Sequence, residues 1–165
     1  MIGYIDLLES MNACEEAVQY CRGQGSLKTA WDNCVVGEWL LWFAEELGVD
    51  KKIIGLAVCD CVERALKYVP KGETRPAEAI RVKRLWCRGE ATDGELDAAR
   101  AAVWAVPWAA RAARAAAWAA RAARAAAWAA RPAMAAEQKI QADIIRKYIT
   151  WDMIAAKLNE KTEGC

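Results

Sequence analysis

Histidine is absent from all 165 residues. With it go the side chain that most often serves as a general base near neutral pH and the commonest metal ligand. Proline and glycine are sparse, at 4 and 10 residues, and fall in clusters, which favours long helices over a turn-rich β fold. No stretch approaches the roughly 20 uncharged apolar residues that a membrane span requires. The longest uncharged run of the Ala-rich region is Ala101–Ala110, and Pro107 interrupts it. The opening MIGYIDLLES has no basic run and carries acids early, so it does not read as a signal peptide. These absences lead us to expect a soluble, cytoplasmic chain with no membrane contact.

Paired cysteine motifs are missing too. The 7 cysteines (14, 21, 34, 59, 61, 87 and 165) are odd in number and contain no CxxC. Cys14 and Cys21 lie one heptad apart and would share a helical face, as buried apolar thiols do. Cys59 and Cys61 point roughly 200° apart on a helix and cannot ligate one metal together. Reduced core thiols, with no metal and no cofactor, are the expectation. No P-loop, GxGxxG or GxSxG occurs. Cys34 or Cys59 would need a lysine or a carboxylate as activating base, and the pairs Glu15/Glu16, Glu45/Glu46 and Asp60/Glu63 read as solvated helix faces. The chain is therefore read as a non-enzyme.

Acidic residues are lacking from one long region. Residues 1–97 hold 17 acids and 12 bases, residues 98–136 hold 6 arginines and no acid, and residues 137–165 hold 5 of each. The net charge of +1 conceals this dipole, which either a partner or the chain itself must answer.

What is present is helical periodicity. Apolar residues from Ile5 to Cys21 suggest one run over 3–22, ended by Gly23 and Gly25. Ser26 can cap a short helix through Trp31 and Cys34. EWLLWFAEELG then places Trp39 and Trp42 mostly in the core, with Gly48 as its stop. Asp50 caps a helix whose stripe of Ile53, Ile54, Leu56, Ala57, Val58, Cys61, Ala65 and Leu66 runs up to Pro70. PKGETRP is the clearest loop, and Pro76 sits early in a helix reaching Gly89. Thr92 and Glu95 form a capping box that opens the Ala-rich helix. Pro107 and Pro132 should kink or end that helix. An unbroken helix over 93–149 would be about 85 Å long, so at least one reversal is expected, near Pro132. From Ala133 the pattern resumes through Ile140, Ile144, Ile145, Tyr148 and Ile149, followed by a short WDMIAAKL segment and a polar tail. The reading is all-α: a single-domain bundle of about six or seven helices with a long Ala-rich C-terminal helix or helical hairpin. It comprises acidic helices over 1–90, the Ala-rich region over 92–149 and a short helix and tail over 150–165.

Within that region, Trp108–Arg131 repeats the unit Trp-Ala-Ala-Arg-Ala-Ala-Arg-Ala-Ala-Ala. Ten residues fall about 80° short of three helical turns, so the Trp–Arg stripe would wind as a left-handed spiral. Trp118 has Arg114 at i−4 and Arg121 at i+3, and Trp128 has Arg124 and Arg131 likewise, within cation–π reach. Tryptophan and arginine are the residues most enriched at the energetic centres of protein interfaces. Trp108, Arg111, Arg114, Trp118, Arg121, Arg124 and Trp128 are thus the candidate partner-binding residues. A nucleic-acid interface, with arginine on phosphates and tryptophan on bases, ranks second. A membrane helix ranks last, since only alanine lies opposite the arginines. A purely structural role, with the alanine face packed on neighbouring helices, stands beside all three.

Seven segments occur in order: NACEEA at Asn12–Ala17, AWDNC at Ala30–Cys34, GEWLLW at Gly37–Trp42, AVCDCVER at Ala57–Arg64, YVPKGETRPAEAI at Tyr68–Ile80, WCRGEAT at Trp86–Thr92 and DIIRKYI at Asp143–Ile149. Through this ordered set the chain resembles a family of immunity-type proteins of phage, prophage and polymorphic-toxin loci. The Ala-rich middle of that family is punctuated more by tyrosine than by this Trp–Arg decad. The resemblance implies a small, all-helical cytoplasmic protein that neutralises a toxin, or a host or phage defence protein, by binding it. It carries no catalytic residues over.

Overall fold

The computed structural model describes residues 3–69, 71–104 and 135–163, except for the side chains of Tyr68, Val103, Trp104, Thr162 and Glu163. The described residues are all-helical, with no strand among them. They form nine α-helical segments and one 3-10 segment, more pieces than six or seven. The chain divides into two compact units: Met1–Ile54 with Gln138–Cys165, and Gly55–Glu137.

The first unit opens with α1 (Tyr4–Ser10) and α2 (Glu15–Arg22), where periodicity alone suggested one run. The cause of the break is Asn12, at a φ of 58° in the left-handed region that asparagine tolerates better than most residues. The Asn12 and Ala13 amides bond back to Glu9 and Leu8, which closes α1 in a Schellman-like turn. The heptad pairing of Cys14 with Cys21 fails for the same reason. Cys14 becomes the exposed N-cap of α2, and Cys21 is buried.

Local capping signals set the next elements. The Ser26 hydroxyl accepts from the Thr29 amide at 3.0 Å and starts α3 (Leu27–Asn33). Gly37 is the first residue of α4 (Gly37–Glu46), and Gly48, at a φ of 75°, ends it. The Asp50 carboxylate accepts from the Lys52 amide at 2.6 Å and starts α5 (Lys51–Glu63). At the far end of the chain lie α8, over 135–148, and α9 (Trp151–Glu163); α9 continues beyond the short segment anticipated from WDMIAAKL.

Ile145, Ile149 and Ile154 are the largest fully buried side chains of the described residues. They come from α8, the bend after it and the start of α9, and each contributes about 1.5–3 kcal/mol by leaving water. Gly37 sits against Ile145, where an added Cβ would meet Cδ1 at 3.0 Å. Arg146 donates to the Trp31 and Cys34 carbonyls at 3.2 and 2.7 Å, which supplies cationic donors to the C-terminal end of α3. Tyr4 and Tyr20 donate to the Cys21 and Ala30 carbonyls and tie α1 to α2 and α2 to α3.

The second unit holds the rest of α5, a 3-10 segment (Arg64–Tyr68), α6 (Arg75–Arg88) and α7 (Asp93–Trp104). The α-helix ends at Glu63 and buries Gly55, Ala57 and Cys59; of the expected stripe only Ala57 is buried, Ala65 is exposed and the others are half-buried, because the close packing of α6 at Gly55 turns a different face inward. Gly55 is a close-approach site: a Cβ there would stand 2.6 Å from the Cys87 sulfur of α6. Pro76 lies in the first turn of α6, and Gly89, at a φ of 80°, closes it. The capping box at α7 forms as the sequence suggested, with the Glu95 carboxylate 2.8 Å from the Thr92 amide and the Thr92 hydroxyl 3.3 Å from the Glu95 amide. The long Ala-rich helix past Trp104, the breaks at Pro107 and Pro132 and any reversal between them lie outside the described residues.

Candidate functional site

The seven residues singled out as a partner-binding stripe, Trp108 to Trp128, lie outside the described residues. The other chemistry-bearing groups fall within them. Burial pushes the thiols of Cys21, Cys34, Cys59 and Cys61 above the ordinary cysteine value, which holds them as neutral S–H groups. A nucleophilic cysteine needs the opposite shift. Cys34 instead lies 3.5 Å from the Val36 carbonyl and Cys59 lies 3.9 Å from the Ile80 carbonyl, both as weak donors inside helical packing. Among the described residues no group of three or more Cys, Asp or Glu side chains is arranged to hold a metal ion. None of the described helices is long and apolar enough to cross a membrane.

The carboxylate pairs separate into two kinds. Asp60 and Glu63 both bind Arg84 at 2.7 Å, so they serve as a clamp between α5 and α6. Glu15, Glu16, Glu45 and Glu46 are exposed and make no ion pair among the described residues.

A cavity of about 40 Å³ opens among α1 to α4. Leu8, Ala17, Cys21, Ala30, Trp31 and Phe43 are among its buried walls. Tyr20, Leu27, Trp39 and Trp42 line it as well, and each is half-buried. Tyr20 and Trp39 pack with ring centroids 5.7 Å apart, and Phe43 stands 6.4 Å from both Trp31 and Trp42. This corrects the expectation that Trp39 and Trp42 are core. Among the described residues the buried tryptophan is Trp31, at 3 % exposure, while the two in α4 form a partly open edge. Spacing within α4 could not decide this, because burial depends on where α2 and α3 come to lie.

In the other unit a groove of about 340 Å³ runs along α6 and α7, past Val82, Leu85, Ala98 and Ala99. Most of its charged walls are engaged: Glu78 binds Arg81 and Glu95 binds Thr92, contacts that hold both carboxyls below the ordinary range, while the Glu90 carboxylate makes no ion pair among the described residues. No family model, curated protein or solved structure matches the chain.

Proposed function

We propose that this chain is a non-enzymatic binding protein of the immunity or phage-encoded inhibitor type, which masks a partner protein. Its contact residues are Trp108, Arg111, Arg114, Trp118, Arg121, Arg124 and Trp128. The partner is a toxin or a defence protein of host or phage.

One observation carries the reading: the carboxylates of the arginines' own unit are already taken. Gly55–Glu137 contains nine acids. Asp60 and Glu63 bind Arg84, Glu73 binds Arg75, Glu78 binds Arg81, Asp97 binds Arg100 and Glu137 binds Arg64. Asp93 accepts from the Trp86 indole at 2.6 Å and Glu95 serves the capping box, which leaves Glu90. The described contacts thus engage eight of the unit's nine acids before the five arginines between 111 and 131 are counted. Each is three or four residues from a tryptophan in the sequence, a combination suited to the centre of an interface. The ordered resemblance to immunity-type proteins supports the same reading.

Affinity capture from host lysate tests it, comparing wild type with a variant carrying R114E, R121E and R124E. The expected result is a protein retained by wild type and lost from the variant, with unchanged helical circular dichroism. An unfolded variant assigns the stripe a structural role instead. Binding to generic DNA or RNA that weakens steeply with salt replaces the protein partner with a nucleic acid.

A further inference from the structure

We infer that the aromatic notch of α1 to α4 is a second docking site, separate from the Trp–Arg stripe. Its occupant is a cationic protein segment that inserts one aliphatic side chain. The described residues of this unit, 3–54 and 138–163, carry 13 acids and nine bases. The two bases of α2 and α3 are engaged, Arg22 with Glu9 and Lys28 with Asp32. The free carboxylates sit beside the rim. Glu16 is one helical turn before Tyr20, and Trp42 has Glu38 one turn before it and Glu45 and Glu46 one turn after.

Helix stability accounts for part of this set. Glu16 and Glu38 occupy first turns, where the helix dipole favours negative charge. Glu45 and Glu46 occupy the last turn of α4, where the dipole disfavours it, and that turn holds no basic residue. Lys161 reaches only the Glu46 backbone carbonyl, at 3.3 Å. Two unpaired carboxylates at the wrong end of a helix, beside an open apolar notch, are complementary to a positive partner.

The notch selects the anchor by size. About 40 Å³ admits the methyl end of a leucine, valine or methionine and excludes an indole or phenyl ring. A second copy of this chain docking through Trp108–Arg131 is thereby disfavoured, since that segment's only apolar side chains larger than alanine are indoles.

The test is calorimetric titration with a synthetic helical peptide of lysine, alanine and one central leucine, at about 50 mM salt, where surface charges are weakly screened. The peptide should bind, and replacing its leucine by alanine should weaken binding about tenfold. The exposed double change Glu45→Gln and Glu46→Gln should weaken it by about the same factor, and a glutamate-for-lysine peptide should not bind. Equal affinity for the leucine and alanine peptides, no effect of the double change, or no binding at all would overturn the assignment. So would self-association in sedimentation that the double change abolishes, which would give the notch to a second copy.

Discussion

Of the 23 buried apolar side chains among the described residues, 17 belong to Met1–Ile54 with Gln138–Cys165 and 6 to Gly55–Glu137. The ion pairs divide differently. In the first unit four of five join residues three or four apart on one helix, with Arg22–Glu9 the exception. In the second, Arg84 bridges α5 and α6 through Asp60 and Glu63, and Arg64 grips both oxygens of Glu137, 73 residues away, at 2.7 and 2.8 Å. One unit is held by buried hydrocarbon. Among the described residues the other buries fewer apolar side chains, and partly shielded charge pairs join its helices. The contrast bears on the proposed function because the described acids of the second unit already clamp its own helices.

Four comparisons sharpen or break this contrast. The largest effect belongs to Ile149→Ala, at a wholly buried site, which should cost about 3–4 kcal/mol in denaturant unfolding. Ile80→Ala in the smaller core should cost closer to about 2 kcal/mol, and equal costs would erase the distinction. Gly55→Ala comes next. Its Cβ would stand 2.6 Å from the Cys87 sulfur and 3.0 Å from the Lys83 side chain, for a loss of about 1–3 kcal/mol. Adding Cys87→Ala should recover part of that loss, and an absence of recovery would show that the helices do not meet there.

Removing the bridging guanidinium by Arg84→Met should cost about 1 kcal/mol, with the deficit shrinking as salt is added. Lys28→Met, at an exposed pair within α3, should stay within about 0.5 kcal/mol of wild type. The smallest effect is with pH. Arg75 holds the Glu73 carboxyl down to about 2, and the Glu78 and Glu95 carboxyls are also lowered, all three in the second unit. Each is depressed by folding, so its contribution is complete above the ordinary glutamate value and is lost as pH falls towards 2. Asp143 of α8 is lowered as well, by Lys139 and Arg146, so the fair comparison is with α9: between pH 5 and pH 2 the amide protection factors should fall in α6 and α7 before α9. The reverse order would contradict the assignment of charge to one unit and hydrocarbon to the other.

The sequence made the local devices legible. Ser26, Gly48, Asp50, Pro76, Gly89 and the Thr92–Glu95 box all stand where their short-range chemistry placed them. What it hid was long-range or conformational. Apolar spacing runs unbroken through Asn12, because a left-handed residue leaves no mark on periodicity. Trp31 rather than Trp39 or Trp42 is buried, and Arg146 caps α3 from 112 residues away. Both depend on which helices become neighbours. The notch was hidden for the same reason, as its walls come from four helices. The Trp–Arg stripe stood out as a sequence pattern and lies outside the described residues, so its proposed role rests on composition and on the charge accounting around it.

The most direct test of the central claim, that the arginines of the decad are answered from outside the chain, is a melting experiment on the isolated protein. Wild type and an R114Q, R121Q and R124Q variant would be compared at low and high salt. The account predicts melting temperatures within about 2 °C of each other in both conditions, since no internal pairing is lost. A fall of more than about 5 °C at low salt, shrinking as salt is added, would mean that the chain neutralises these arginines itself.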